Sequence, residues 1–163
     1  FNSFNTVFKN GESFYNENVL LIICNKSSNI SLKQLTDSSN KILYGVSVPK
    51  KKFKKAVVRN RIKRLMRVSI RHSLEELNKF YDITELNVIV AIWRGQTVNR
   101  PNEIGLSDVE PYIYNGLKKY LENIKNTDEK DFFDFITVNT LMEHRSAAPD
   151  SRNGHRFGAE KQF

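Results

Sequence analysis

Apolar residues change their spacing several times along the chain, and each change marks an element. Phe1, Phe4, Val7 and Phe8 recur at i, i+3, i+6 and i+7, which predicts a short amphipathic helix over Phe1–Lys9, ended by Asn10-Gly11. Glu12–Tyr15 reads as a short strand and Val19–Asn25, with Val, Leu and Ile in succession, as a second. Asn25–Asn40 is rich in Ser, Asn and Lys and reads as an exposed connection. Lys41–Val48 alternates with period two, Ile42, Tyr44, Val46 and Val48 against Leu43, Gly45 and Ser47. That parity predicts Tyr44 in the core. Ser47 falls with Gly45 on the other face, where small side chains leave the sheet open to a close approach.

Pro49 stops this strand, and Lys50–Lys55 forms a turn into the most regular stretch of the chain. Val58, Ile62, Leu65, Met66 and Ser69 fit one side of a helix that lies on a core. No Ser, Thr, Asp or Asn stands at its start, so its first N–H groups are left for water or an anion. Leu74, Leu77 and Phe80 either prolong this helix or begin a second one over His72–Phe80. Leu86–Trp93, LNVIVAIW, is a nearly unbroken apolar run and predicts a strand buried on both faces. A loop over Gln96–Gly105 follows. Ser107 ahead of Asp108, Val109 and Glu110 suggests a capping box, with Pro111 suited to a first turn. Val109, Ile113, Leu117, Tyr120, Leu121 and Ile124 then space a last helix of about five turns.

These elements describe an α+β fold, a small sheet of three to four strands with helices, in the order α-β-β-β-α-β-α. They divide the chain into a folded region 1–124, an appended acidic and aromatic segment 125–142, and a tail 143–163 that lacks apolar periodicity and reads as disordered. A length of 163 with 39% hydrophobic residues suits one modest core. No apolar run approaches the length of a membrane span, so no membrane partner is expected. The first residue is Phe rather than Met and no signal pattern follows, so Phe1 reads as a cut edge. The single Cys24 sits inside an apolar strand and is expected to be a buried, inert thiol in a reducing compartment, the cytoplasm.

Charge changes the picture. The 22 residues Lys50–Arg71 hold eleven of the 26 Lys and Arg and no acid, which leaves fifteen bases against eighteen acids elsewhere. The net charge of +8 is therefore local to this stretch. Opposite the apolar side of the helix, Asn60, Lys63, Arg64, Arg67 and Arg71 form a stripe, with Arg59 on its border and Arg61 on its flank. Residues three or four apart are about 5 to 6 Å apart along the axis, close to the spacing of successive phosphates on one strand. A solvated basic face would also give such a run, but solvation alone favours interspersed Glu, and the abundance of Arg favours bidentate phosphate contact. Polyanion binding is the leading expectation.

Independent chemistry is harder to find. His72, His144 and His155 are scattered without metal-ligand spacing, no glycine-rich phosphate loop follows a strand, and no Ser or Cys has a base marked by sequence. No catalytic residue and no protein-held metal is therefore expected.

The run Ala56-Val57-Val58-Arg59-Asn60-Arg61-Ile62-Lys63-Arg64-Leu65-Met66-Arg67, preceded by the strand Gly45-Val46-Ser47-Val48 and a lysine turn, resembles the signature of the bacterial ribonuclease P protein component. The resemblance spans the N-terminus to about Ile124 and leaves the tail unexplained. It implies a ribosomal protein S5 domain 2-like fold with a left-handed βαβ crossover between Tyr44–Val48 and Leu86–Trp93. It also implies an accessory subunit that assists removal of the 5′ leader of precursor tRNA, while a catalytic RNA binds Mg2+ and cleaves the phosphodiester with a metal-activated water. By resemblance Arg59, Asn60, Arg61, Lys63, Arg64, Arg67 and Arg71, with Lys50 and Lys51 of the turn, meet the catalytic RNA, Asn60 and Lys63 nearest bound metal or phosphate. Phe4, Phe8 and Ser47 border the leader cleft, placed between the sheet and the basic helix. Where some relatives carry an aromatic late in the second strand, this chain has Ile22.

Two other classes stay open on the residues alone. One is a general RNA-binding or ribosome-associated module with no role in cleavage; the other, a domain that docks an acidic protein.

Overall fold

A computed structural model describes residues 2–27 and 41–146. Phe1, most of the connection after Asn25, and residues 147–163 of the tail lie outside the described residues. Two compact units are present, Phe1–Glu122 and Asn123–Phe163.

The first unit contains α1 (Asn2–Asn10), β1 (Glu12–Tyr15), β2 (Val19–Asn25), β3 (Leu43–Ser47), α2 (Ala56–Leu77) and β4 (Leu86–Trp93). It also contains the beginning of α3 (Glu110–Ser146). The order is the expected α-β-β-β-α-β-α, and the fold is α+β. The strands form one sheet ordered β1-β2-β4-β3, with β4 parallel to β3 and antiparallel to β2. β4 is thus central. Apolar side chains at both parities suit it for burial on two sides.

The sheet faces have different covers. Val7 of α1 packs with Ile22, Cys24, Val88 and Val90, and Leu20, Leu43 and Ile92 flank this cluster half-buried. Gly11 permits the approach: a Cβ there would lie 2.6 Å from the Ile22 side chain and 2.8 Å from the Val7 carbonyl oxygen. On the other face Leu21, Ile23, Ile89, Ala91 and Trp93 are buried. α3 lies there, with Gly116 against Leu21 and Tyr120 edge-on to Phe14 at 5.6 Å. α2 lies beside α3, His72 Nδ1 standing 3.2 Å from Glu110 Oε1, and it also packs along β3. Its buried side, Val58, Ile62, Leu65, Met66, Ser69, Ile70, Ser73, Leu74 and Leu77, contains every residue the spacing put there and extends it by about two turns. His72–Leu77 therefore continues α2.

Three expectations are corrected. Tyr44 is 39% exposed, because β3 is an edge strand and parity fixes a side chain's face without covering it. The capping arrangement belongs to Asp108, whose Oδ2 accepts the Gly105 N–H at 2.7 Å; Ser107 lies inside a 3-10 turn, Leu106–Asp108. The last helix does not end near Ile124 but runs from Glu110 to Ser146.

In the second unit, the described residues 123–146 are helical. Phe132 and Phe133 are each 60% exposed there, their rings 6.3 Å apart. No helix among the described residues is long and apolar enough to cross a membrane.

Candidate nucleic-acid interface

The basic surface begins at the turn between β3 and α2. The Phe53 N–H donates to the Pro49 carbonyl at 3.0 Å and the Phe53 ring is buried, which anchors the turn. Two lysines are tied to the loop beyond β4: Lys52 Nζ donates to the Arg94 carbonyl at 3.0 Å and Lys55 Nζ to that of Asn99 at 3.2 Å. Lys50 and Lys51 are exposed on the same turn. Helix α2 opens at Lys55 with extended backbone and no side-chain cap. Its start is electropositive twice over, from free N–H groups and from the lysines around them.

Along α2, Asn60, Arg64, Arg67 and Arg71 are exposed, while Arg61 and Lys63 are half-buried. Arg59 differs in role. Its Nη1 donates to the Phe53 carbonyl at 2.8 Å and to the Lys54 carbonyl at 2.7 Å, so it braces the turn from below the stripe. Among the described residues the ion pairs are His72–Glu110, Lys79–Glu76 and Lys118–Glu122, and none includes a base of Lys50–Arg71. The guanidinium groups of the stripe are not neutralised by carboxylates of the described residues. They repel one another and favour an external polyanion.

The second surface is the sheet face under α1. Register aligns Tyr15 with Leu20, Leu20 with Ile92, and Ile92 with Ser47, one row across all four strands. Val7 covers the neighbouring positions and leaves this row partly open, with Leu20 and Ile92 half-buried and Ser47 and Tyr15 exposed. Phe8 stands on α1 at 46% exposure. Phe4 lies one turn earlier on α1, and its side chain is outside the described residues. The structure therefore brings Phe8 and Ser47 to one face. It does not bring the stripe there, because α2 turns its apolar side to the opposite face. The expected trough between sheet and basic helix is instead walled by α1, with the lysine turn at the Ser47 end.

Tyr15 and Arg94 were missed as candidates. Arg94 places its guanidinium carbon 5.6 Å from the centre of the Tyr15 ring, and Tyr15 is 66% exposed. The signal was the pair Phe14-Tyr15: adjacent aromatics in a strand must point to opposite faces, and Phe14 is the one that meets Tyr120. Ile22 is buried beneath α1, so no stacking surface exists at that point of β2.

Residues 2–102 match the family model described as Ribonuclease P. The chain belongs to the ribonuclease P protein family. It is 37% identical over 117 residues to a ribonuclease P protein component of Clostridium botulinum (strain Langeland), covering 71% of this chain and 86% of the relative. It is 34% identical over 101 residues to that of Microcystis aeruginosa, covering 62% and 68%. Among solved structures, the Staphylococcus aureus RNase P protein is 24% identical with a TM-score of 0.42, covering 76% of this chain and 89% of that one. The assignment rests on the sequence matches. Membership makes the chain an accessory protein subunit of the ribonuclease P endoribonuclease, which acts with an RNA subunit in tRNA 5′ maturation.

Among the described residues no group of three or more His, Cys, Asp or Glu side chains could hold a metal ion. The one free thiol, Cys24, is buried, its Sγ donating to the Val7 carbonyl at 3.7 Å, and burial pushes its pKa up, away from nucleophile chemistry.

Proposed function

We propose that the chain performs its role in ribonuclease P through two surfaces. The stripe Asn60, Lys63, Arg64, Arg67 and Arg71, flanked by Arg61 and continued by Lys50 and Lys51, holds the catalytic RNA. The row from Ser47 to Tyr15, walled by α1 with Phe8 and Phe4, receives the single-stranded 5′ leader of precursor tRNA. Mg2+ is held by the RNA, and this chain supplies grip and charge neutralisation without a catalytic residue of its own. Arg59 sets the turn that presents the stripe. The cytoplasm is the proposed setting, which the buried unpaired thiol of Cys24 supports.

The observation that carries this reading is the unneutralised basic stripe directly opposite the buried side of α2. The fold supplies apolar contacts for one side of the helix and, among the described residues, no carboxylates for the other. The test is reconstitution with a bacterial ribonuclease P RNA and a precursor tRNA at physiological Mg2+, scored for release of a 5′ leader of defined length. Shortening the leader weakens precursor binding under this reading. A general RNA-binding module would show no such dependence and no cleavage.

A further inference from the structure

The sheet row ends at an aromatic that the surrounding fold does not use. Tyr15 is the last residue of β1, on the edge of the sheet, with 66% of its surface in solvent. Its neighbour Phe14 supplies the contact with Tyr120 that holds β1 against α3, which leaves Tyr15 facing the α1 side. Among the described residues its ring partner is the Arg94 guanidinium, itself on an exposed residue. Arg94 is fixed from behind: its N–H donates to the Asn18 carbonyl at 2.7 Å, and its own carbonyl accepts from Lys52 Nζ.

Two thirds of the Tyr15 surface stays open beyond its cross-strand partner Leu20, and an arginine above the ring adds positive charge beside a π-face. Together they form the usual chemistry of a single-strand nucleic-acid contact, in which the ring takes a base and the guanidinium a phosphate or a second stacking layer. The register supplies the path. Ser47, Ile92, Leu20 and Tyr15 are successive members of one row, and at about 4.8 Å per strand the row is roughly 14 Å long. Lysines stand at the Ser47 end and Arg94 at the Tyr15 end, so both ends carry the charge a phosphate chain requires.

We propose that Tyr15, held under Arg94, stacks one base of the 5′ leader at the far end of the sheet row and so sets the leader length at which the protein's contribution saturates. The inference rests on the leader reading above and adds a residue to it. Ile22 cannot take the base, since it lies buried beneath Val7. Tyr15 offers an open ring on the same face, at the edge of the sheet.

The test uses the reconstituted holoenzyme with precursor tRNAs whose leaders lengthen one nucleotide at a time and carry 2-aminopurine at successive positions. With wild-type protein, affinity rises with leader length and then levels off, and fluorescence is quenched most strongly at one position near that plateau. Tyr15→Ala removes the quenching there and weakens binding on the order of tenfold for leaders that reach the plateau, with no change for shorter ones. Tyr15→Phe keeps both, because the ring and not the hydroxyl makes the contact. Thermal melting of Tyr15→Ala checks the fold, and an unchanged midpoint is expected for so exposed a side chain. If wild-type affinity varies with leader length while Tyr15→Ala matches wild type at every length, the Tyr15 assignment is overturned and the leader reading stands. If wild-type affinity ignores leader length altogether, the underlying reading fails as well.

Discussion

At the scale of single residues, the open stripe of α2 rests on Arg64, Arg67 and Arg71, all three exposed. Arg64→Ala and Arg67→Ala should each lower holoenzyme activity at limiting Mg2+ and reduce the slope of log K against log salt by about 1, measured by RNA-binding titrations at several salt concentrations. Unchanged slopes in both variants would count against the stripe as an RNA surface. Arg59 looked equivalent in the sequence because a bond to a backbone carbonyl six residues earlier leaves no trace in periodicity. Tyr44 misled for a related reason, since parity is local and burial depends on what lies across the sheet. Burial of Tyr120 beside Glu12 and Cys24 raises its pKa to about 12 from 10.0. A raised phenol pKa favours the neutral form in the folded state, so its stabilising contribution is complete below pH 10 and is lost as pH rises through about 12. Melting curves between these pH values should fall less steeply for Tyr120→Phe than for wild type.

At the scale of elements, helix and strand identities were legible because each buries a periodic face. What remained hidden was which face of the sheet each helix covers, since a run such as LNVIVAIW is apolar at both parities. Gly116 shows how close α3 comes: a Cβ there would stand 2.4 Å from Leu21 Cδ1, and Leu21 is fully buried. Gly116→Val should therefore lower stability by about 1–3 kcal/mol in urea denaturation, since the core must shift to admit it. The hand of the crossover follows from similar reasoning and is a prediction. The Arg94 N–H points to Asn18, so even positions of β4 turn their backbone groups toward β2 and odd positions toward β3. For L-residues viewed with the side chain forward and the chain ascending, those groups point right. Seen from the α1 face, where Val88 and Val90 point forward, β3 then lies left of β4 with α2 behind. The path β3-α2-β4 is left-handed on this argument, against the strong general preference. An experimentally determined structure with a right-handed path would refute it.

For the molecule as a whole, the +8 net charge conceals a division between one cationic stretch and a mildly acidic remainder. That division was visible from composition, because charge needs no fold to be counted. The open sheet row was not visible, because it exists only once four strands align and α1 covers some positions but not others. The lone thiol now offers a way to watch that cover. Cys24 lies directly under Val7, shielded from solvent at 1% exposure. A maleimide can reach its sulfur only when the first helix swings away from the strands, so alkylation becomes a clock for how often that wall opens. RNA seated against the wall should slow the clock, and RNA that grips only the far side of the protein should leave it running at its original rate.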